Sequence, residues 1–154
     1  MTIEDDISFL ERVPTLSLLG PQALRILAIG AHSRYVHGGE VLFNAGEDAE
    51  GAYVIQEGRF SISSEADADG QAIVVGPYTL LGELALLTET TRPATATALE
   101  SATVLLIPRP LFLTMLDSFP ESARRLRETL ASRLTQSTGE IYNLRGVLIS
   151  DERK

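Results

Sequence analysis

Cysteine is absent from the 154-residue chain, and lysine occurs once, at Lys154. The lack of cysteine excludes disulfide bonds and thiolate metal ligands, and it favours the reducing cytoplasm as the location. With 21 acidic and 13 basic residues, the formal net charge is −8. Direct contact with a nucleic-acid backbone is therefore not expected, because such contact requires clustered positive charge. The arginine-rich stretch 124–133 is interpreted as a solvent-exposed helix face.

Long apolar runs and histidine are also scarce. No window approaches the 18 consecutive apolar residues of a membrane span, and the acidic residues 4–6 stand where a signal peptide would be basic. The two histidines, His32 and His37, are too few for a cupin-like metal enzyme. No Ser-His-Asp set can be assembled around either histidine. The sequence therefore predicts no catalytic residue, no metal ligand and no bound cofactor.

Hydrophobic periodicity divides the chain into three parts of one domain, at 1–34, 35–108 and 109–154. Residues 3 to about 33 have helical spacing, and helical spacing returns after Pro108. Between them lie short apolar runs separated by glycine-rich turns, at 41–43, 53–56, 59–63, 73–75, 95–99 and 103–107. This pattern predicts a mainly β fold with flanking helices: an antiparallel β-roll or jelly roll with N-terminal helices, a short helix near residue 83 and a long C-terminal helix.

The last predicted helix begins at Pro120 and carries leucines at helical spacing as far as Leu148. Unbroken, residues 120–148 would extend about 43 Å, which is longer than a small β-core can cover. One interpretation is that this helix pairs with its copy in a homodimer. The other is that the chain frays after Gly139, which disfavours helix by up to about 1 kcal/mol relative to alanine.

The stretch 80–98 contains the residues best suited to binding a ligand. Gly82 lets a backbone approach a ligand, and a short helix following it directs N–H groups toward that ligand. Glu83 can accept hydrogen bonds from hydroxyl groups, and the guanidinium of Arg92 fits a phosphate. Together they indicate a sugar-phosphate site. The alternatives are that Arg92 is a surface residue or the ion-pair partner of Glu83, and that residues 84–87 are simply core.

Three motifs in order resemble the cyclic nucleotide-binding domain family, which includes bacterial catabolite activators and kinase regulatory subunits. Residues 35–47 resemble its early hairpin, and residues 53–62 resemble its next strand pair, with Gly58 at the turn. Residues 81–87 followed by 92–95 are similar to its phosphate-binding cassette, and Glu83 and Arg92 have the usual nine-residue separation. The resemblance covers nearly the whole chain.

The resemblance implies a ligand site made of Gly82, Glu83, Leu84, Ala85, Arg92, Pro93 and Ala94. Glu83 would hold the ribose 2′-hydroxyl and Arg92 the cyclic phosphate, while Leu84 and Ala85 belong to a helix whose amides face the ligand. Pro93 and Ala94 take positions that normally present backbone N–H groups to the phosphate. Pro93 departs from the pattern because proline has neither an N–H nor a hydroxyl. This loss disfavours cGMP, for which a serine or threonine is the usual help.

The resulting expectation is a cytoplasmic, non-enzymatic sensor that binds a cyclic nucleotide, cAMP rather than cGMP, and signals through its C-terminal helix. The chain is expected to lack the DNA-binding domain of the family's transcription factors and to have no membrane partner. A homodimer and a separate protein partner are both expected as possible outputs. The alternative is a degenerate member that acts in protein interaction or dimerisation without binding nucleotide.

Overall fold

The computed structural model describes residues 2–64 and 72–136, and side-chain burial is described to residue 129. The turn expected at 67–70 and the end of the predicted C-terminal helix, beyond residue 136, lie outside the described residues.

The N-terminal segment is helical, as predicted, but it ends earlier than expected. Helix α1 (Ile3–Leu10) starts with a capping box in which Thr2 and Asp5 exchange hydrogen bonds. A 3₁₀ turn (Leu16–Leu18) leads to helix α2 (Pro21–Gly30). The prediction that helix extends to about residue 33 is wrong, because Ala31 is extended and strand β1 already begins at His32.

The central region forms antiparallel sheets, which confirms the predicted fold class. Its strands are β1 (His32–Val36), β2 (Val41–Phe43), β3 (Asp48–Ala49), β4 (Gly51–Glu57), β5 (Phe60–Ser63), β6 (Ile73–Val75), β7 (Leu80–Leu81), β8 (Thr90–Thr91), β9 (Thr95–Ala98) and β10 (Ala102–Pro108). Across the described residues, one sheet has the order β1-β10-β4-β7 and a second has the order β2-β9-β5-β6, while β3 pairs with β8. The two-residue strands β3, β7 and β8 were not predicted, because two residues carry no periodicity.

Helices α3 (Arg109–Ser118) and α4 (Pro120–Gln136) follow the last strand. Both begin where the sequence predicted, since Pro110 and Pro120 occupy first-turn positions in which a missing N–H costs nothing. Phe119 alone separates the two helices, so α3 and α4 are joined by a very short connection.

Two apolar cores share strands β4 and β10. Successive side chains of a strand point to opposite faces. Val54 and Leu105 accordingly join the helices in one cluster, whereas Tyr53, Ile55 and Val104 join the interior of the roll in the other. The helical layer is thus packed against the outer face of the strands whose inner face lines the roll.

Across residues 2–64 and 72–136, no helix combines the length and apolar character needed to cross a membrane. The same residues contain no cluster of three or more histidine or carboxylate side chains that could hold a metal ion.

Gly39 and Gly58 provide a matched pair for testing the turn geometry. Both have positive φ, at 88° and 89°, but a Cβ at 39 would meet nothing within 4 Å, whereas a Cβ at 58 would lie 2.6 Å from the Cβ of Ala102. We expect Gly39→Ala to cost about 1 kcal/mol through backbone strain alone. Gly58→Ala should cost at least about 2 kcal/mol more, because the turn must also shift. Urea denaturation measures both, and equal losses would contradict the packing at residue 58.

Candidate functional site

Gly82 forms the corner between strand β7 and a short 3₁₀ helix at Glu83–Leu86, the cassette helix. Its backbone is left-handed, with φ 84° and ψ 39°, which glycine adopts without strain. A Cβ at this position would also collide with the guanidinium of Arg92. Two independent constraints therefore require glycine here, and the second of them is contact with the arginine.

The cassette helix is anchored on one side and open on the other. Ala85 and Leu86 are buried, and the Ala85 amide donates to the Gly82 carbonyl at 2.9 Å, which closes the turn. Leu84 is 61% exposed. The interpretation of these residues as core thus applies to Ala85 and Leu86 but is wrong for Leu84.

Arg92 is buried, with 4% of its surface exposed, so the interpretation of it as a surface residue is wrong. Its guanidinium carbon lies 4.5 Å from the ring centroid of Phe43 and 5.3 Å from that of Tyr53. Both distances are within the range of cation–π attraction. Its Nη1 is fully buried and finds no hydrogen-bond partner among the residues that the structure describes. Burying a guanidinium nitrogen without a hydrogen-bond partner lowers the stability of the fold, and this nitrogen is available to donate a hydrogen bond to an anion.

Burial lowers the pKa of the Arg92 guanidinium from its ordinary value, and Tyr53, Glu50 and Glu47 act in the opposite direction. The backbone around the arginine is fixed by two short hydrogen bonds. The Arg92 N–H donates to the carbonyl of Glu47 at 2.7 Å, and the Gly46 N–H donates to the carbonyl of Arg92 at 2.8 Å. The main chain at residue 92 is therefore held by the loop before β3.

A cleft of about 350 Å³ opens beside this charge. It is lined by Arg34, Leu42, Phe43, Glu47, Asp48, Glu50, Tyr53 and Arg92. Of the predicted site residues, Arg92 alone is in this lining; Gly82 reaches the same guanidinium from the cassette. The sequence did not identify the two aromatic rings as site residues, because they lie in strand patterns where an aromatic residue is ordinary core.

Glu83 takes part in a contact that the sequence did not reveal. The hydroxyl of Thr15 donates a hydrogen bond to Glu83 Oε2. Thr15 is buried, and its φ of 79° is unusual for a β-branched residue. The carboxylate thus accepts a hydrogen bond from a hydroxyl group, and the donor belongs to the N-terminal segment. The two residues are 68 positions apart, and no local pattern signals their proximity.

The 3₁₀ turn that begins after Thr15 also contacts α4. Ser122 Oγ donates to the carbonyl of Leu19 at 2.6 Å, and Arg125 Nε donates to the carbonyl of Leu18 at 2.9 Å. One end of this turn therefore touches the cassette and the other end touches the C-terminal helix.

Pro93 and Ala94 follow Arg92 and differ in burial, since Pro93 is exposed whereas Ala94 is 7% exposed. The proline ring leaves no backbone N–H at residue 93. Residue 93 therefore offers no main-chain hydrogen-bond donor, as its identity predicts.

The sequence model of the cyclic nucleotide-binding domain family matches residues 33–119, which is more than half of the chain. The chain therefore belongs to the cyclic nucleotide-binding domain family, and the resemblance stated from its motifs is confirmed.

Solved structures agree in fold. A cyclic nucleotide-binding-like protein from Brucella abortus is 37% identical, with a TM-score of 0.64, over 73% of this chain and 98% of that one. The N-terminal domain of a transcriptional regulator from Streptomyces coelicolor is 29% identical, with a TM-score of 0.75, over 85% and 95%. The regulatory domain of Toxoplasma gondii PKA, solved with cAMP, is 25% identical, with a TM-score of 0.68, over 77% and 46%.

Curated relatives include lysophospholipase NTE1 of Phaeosphaeria nodorum, 28% identical over 122 residues, and lysophospholipase nte1 of Aspergillus terreus, 29% identical over 131 residues. The alignments include 77% and 83% of this chain, respectively. In both cases the match spans 8% of the length of the relative.

The burial of Arg92 predicts that this residue lowers the stability of the ligand-free protein. We expect Arg92→Met to raise the free energy of unfolding of the ligand-free protein by about 1 kcal/mol, because an apolar chain replaces a poorly paired buried charge. Arg124→Met, which removes an exposed arginine, should stay within about 0.5 kcal/mol of the parent. Urea denaturation makes the comparison. A loss of stability in Arg92→Met would show that Arg92 is a structural residue.

Proposed function

We propose that this chain is a regulatory, non-enzymatic sensor module that binds a cyclic nucleotide, with cAMP favoured over cGMP. The observation that carries the proposal is the buried Arg92 guanidinium, whose Nη1 lies against Gly82 without a hydrogen-bond partner among the described residues. A cyclic phosphate offers this nitrogen an anionic acceptor. The hydrogen bond would be charge-assisted and shielded from water, which makes it stronger than a surface contact.

Glu83 supports a sugar as the second part of the ligand. Its carboxylate already accepts a hydroxyl hydrogen bond from Thr15. A ribose 2′-hydroxyl presents the same donor chemistry, so the ribose would either share the carboxylate with Thr15 or displace it. Glu83 and Arg92 would then hold the two ends of a ribose-phosphate unit.

Displacement of Thr15 would carry the signal to the C-terminal helix. The 3₁₀ turn after Thr15 presents its last carbonyls to Ser122 and Arg125 of α4. Thr15 is held at a φ of 79°, a conformation that costs of order 1–3 kcal/mol for such a residue. Release of the Glu83 contact would remove one interaction that keeps it there, and the turn could then shift against α4.

Pro93 favours weak binding and disfavours cGMP. A missing charge-assisted hydrogen bond is worth roughly 1.5–3 kcal/mol, or about one to two decades in Kd. The absence of a hydroxyl at residue 93 also removes the usual contact to guanine. The affinity for cAMP should therefore be modest, and the affinity for cGMP should be lower still.

A degenerate member that acts through dimerisation or a protein partner is the second candidate. The same Pro93, together with the occupation of Glu83 by Thr15, favours it. This second candidate predicts an oligomer whose formation rises with protein concentration and is unaffected by nucleotides. Light scattering over a concentration series, with and without 1 mM cAMP, distinguishes it from a ligand sensor.

Isothermal titration with cAMP and cGMP tests the sensor directly. We expect saturable binding of cAMP and weaker binding of cGMP, and a loss of cAMP affinity of about 100-fold or more in Arg92→Met. Arg124→Met should bind as the parent does. If neither nucleotide binds at 1 mM, or if Arg92→Met binds cAMP as well as the parent, the sensor proposal fails.

The variant Pro93→Ser tests the missing donor. It restores a backbone N–H and adds a hydroxyl, so the Kd for cAMP should fall by about tenfold or more. The Kd for cGMP should fall further, which narrows the preference for cAMP. Pro77→Ser, at a proline outside the cassette, serves as the control. Unchanged affinities in Pro93→Ser would mean that no phosphate lies against residue 93.

A further inference from the structure

Arg109, the first residue of α3, joins three segments through one nitrogen. Its Nη1 lies 3.0 Å from the carbonyl oxygen of Ala49, 2.9 Å from that of Ala85 and 3.1 Å from that of Thr88. These acceptors belong to strand β3, the cassette helix and the loop that follows it. The Arg109 backbone N–H also donates to the carbonyl of Glu50 at 2.9 Å, which fixes the root of the side chain beside β3.

Three carbonyl oxygens that converge on one point favour a positively charged donor there. Each is the negative end of a peptide dipole, and the last carbonyls of a helix have no partner within the helix. A guanidinium nitrogen carries two hydrogens, so the three oxygens share them. Within the described residues Arg109 forms no ion pair with a carboxylate, so its charge is directed to the backbone.

We propose that Arg109 is a positioning residue that ties the cassette helix to α3, so that a change in the cassette on ligand binding is passed to α3. The inference rests on the sensor function proposed above. It names a residue that the motif of the cassette does not include, since Arg109 lies beyond the stretch 80–98.

The surroundings of α3 make it a suitable receiver of that change. Phe112 and Met115 bury one face of α3 in the helical core, and Leu111 lies against Gly30 at the end of α2. Phe119 alone separates α3 from α4. A rotation of α3 at its first residue would therefore move the start of α4, because the connection is too short to absorb it.

Arg109 acts at the opposite end of the cassette helix from Thr15. Thr15 holds Glu83, the first residue of that helix, whereas Arg109 holds Ala85 and Thr88 near its end. Loss of Arg109 should therefore separate two responses to ligand that a merely structural residue would change together: the slowing of exchange in the cassette helix and the slowing of exchange in α3.

The test uses the full chain with Arg109→Gln, Arg109→Lys and, as a control, Arg124→Gln on the exposed face of α4. Titration with cAMP gives the Kd, and hydrogen exchange at saturating cAMP reports on residues 83–88 and 109–118. In the parent, cAMP should slow exchange in both segments. In Arg109→Gln the Kd should rise by roughly tenfold, the slowing at 83–88 should remain and the slowing at 109–118 should be lost.

Arg109→Lys should recover most of the α3 response, because an ammonium group has three donors for the three carbonyls. If Arg109→Gln fails to fold, the lysine variant alone decides: a response of α3 equal to the parent supports a cation at this place, and loss of it overturns the role. A full α3 response in saturated, folded Arg109→Gln would overturn the proposal outright.

Failure of the sensor function is seen separately. If the parent binds no cAMP, the proposed function is wrong and the passage of a ligand signal through Arg109 is wrong with it. The positioning role is then judged in the ligand-free protein, where Arg109→Gln should speed exchange at 85–88 and leave strands β5 and β9 unchanged. Exchange at 85–88 equal to that of Arg124→Gln would overturn the positioning role as well.

Discussion

The burial of one positive charge constrains the whole site. Arg92 is held over the rings of Phe43 and Tyr53, and its guanidinium lies so close to Gly82 that no side chain fits there. Burial of a guanidinium with an unpartnered nitrogen costs stability, and the cation–π contacts with the two rings offset part of that cost. Such an arrangement is expected where a protein keeps a donor ready for an anion.

The cassette helix is tied to the helical layer at both of its ends. At its start, Glu83 accepts a hydrogen bond from the hydroxyl of Thr15, and the turn after Thr15 contacts α4. At its end, Arg109, the first residue of α3, donates hydrogen bonds to carbonyl oxygens of the cassette and of β3. A ligand that engages Glu83 and Arg92 would therefore act on a segment whose contacts already lead to both C-terminal helices. In the proposed sensor, the β-roll would supply the charge that binds the ligand, and the helices would respond to it.

The sequence was sufficient where a feature is local. The types and spacing of Gly82 and Arg92 predict a shared site, and the structure places these two residues in contact, while the prolines at 108 and 120 mark the approach to α3 and the start of α4. The role of Glu83 toward a ligand stays a prediction. It was insufficient where contacts join distant segments. Thr15 meets Glu83 across 68 positions and Arg109 meets Ala49 across 60, and neither pairing leaves a periodic trace. The end of α2 was placed too late because β1 begins with three polar residues, His32, Ser33 and Arg34, which show no alternation, and pairing with β10 decides their conformation.

The most direct test of the account is the Nη1–H resonance of Arg92 in a ¹⁵N NMR titration of the intact chain with cAMP. The signal is assigned by its loss in Arg92→Met. The account predicts that this resonance shifts downfield as the phosphate accepts a hydrogen bond, and that the shift saturates with stoichiometric cAMP once the concentration exceeds Kd. An Arg92 resonance that stays in place at excess cAMP would contradict the claim that this buried guanidinium is the anion-binding group.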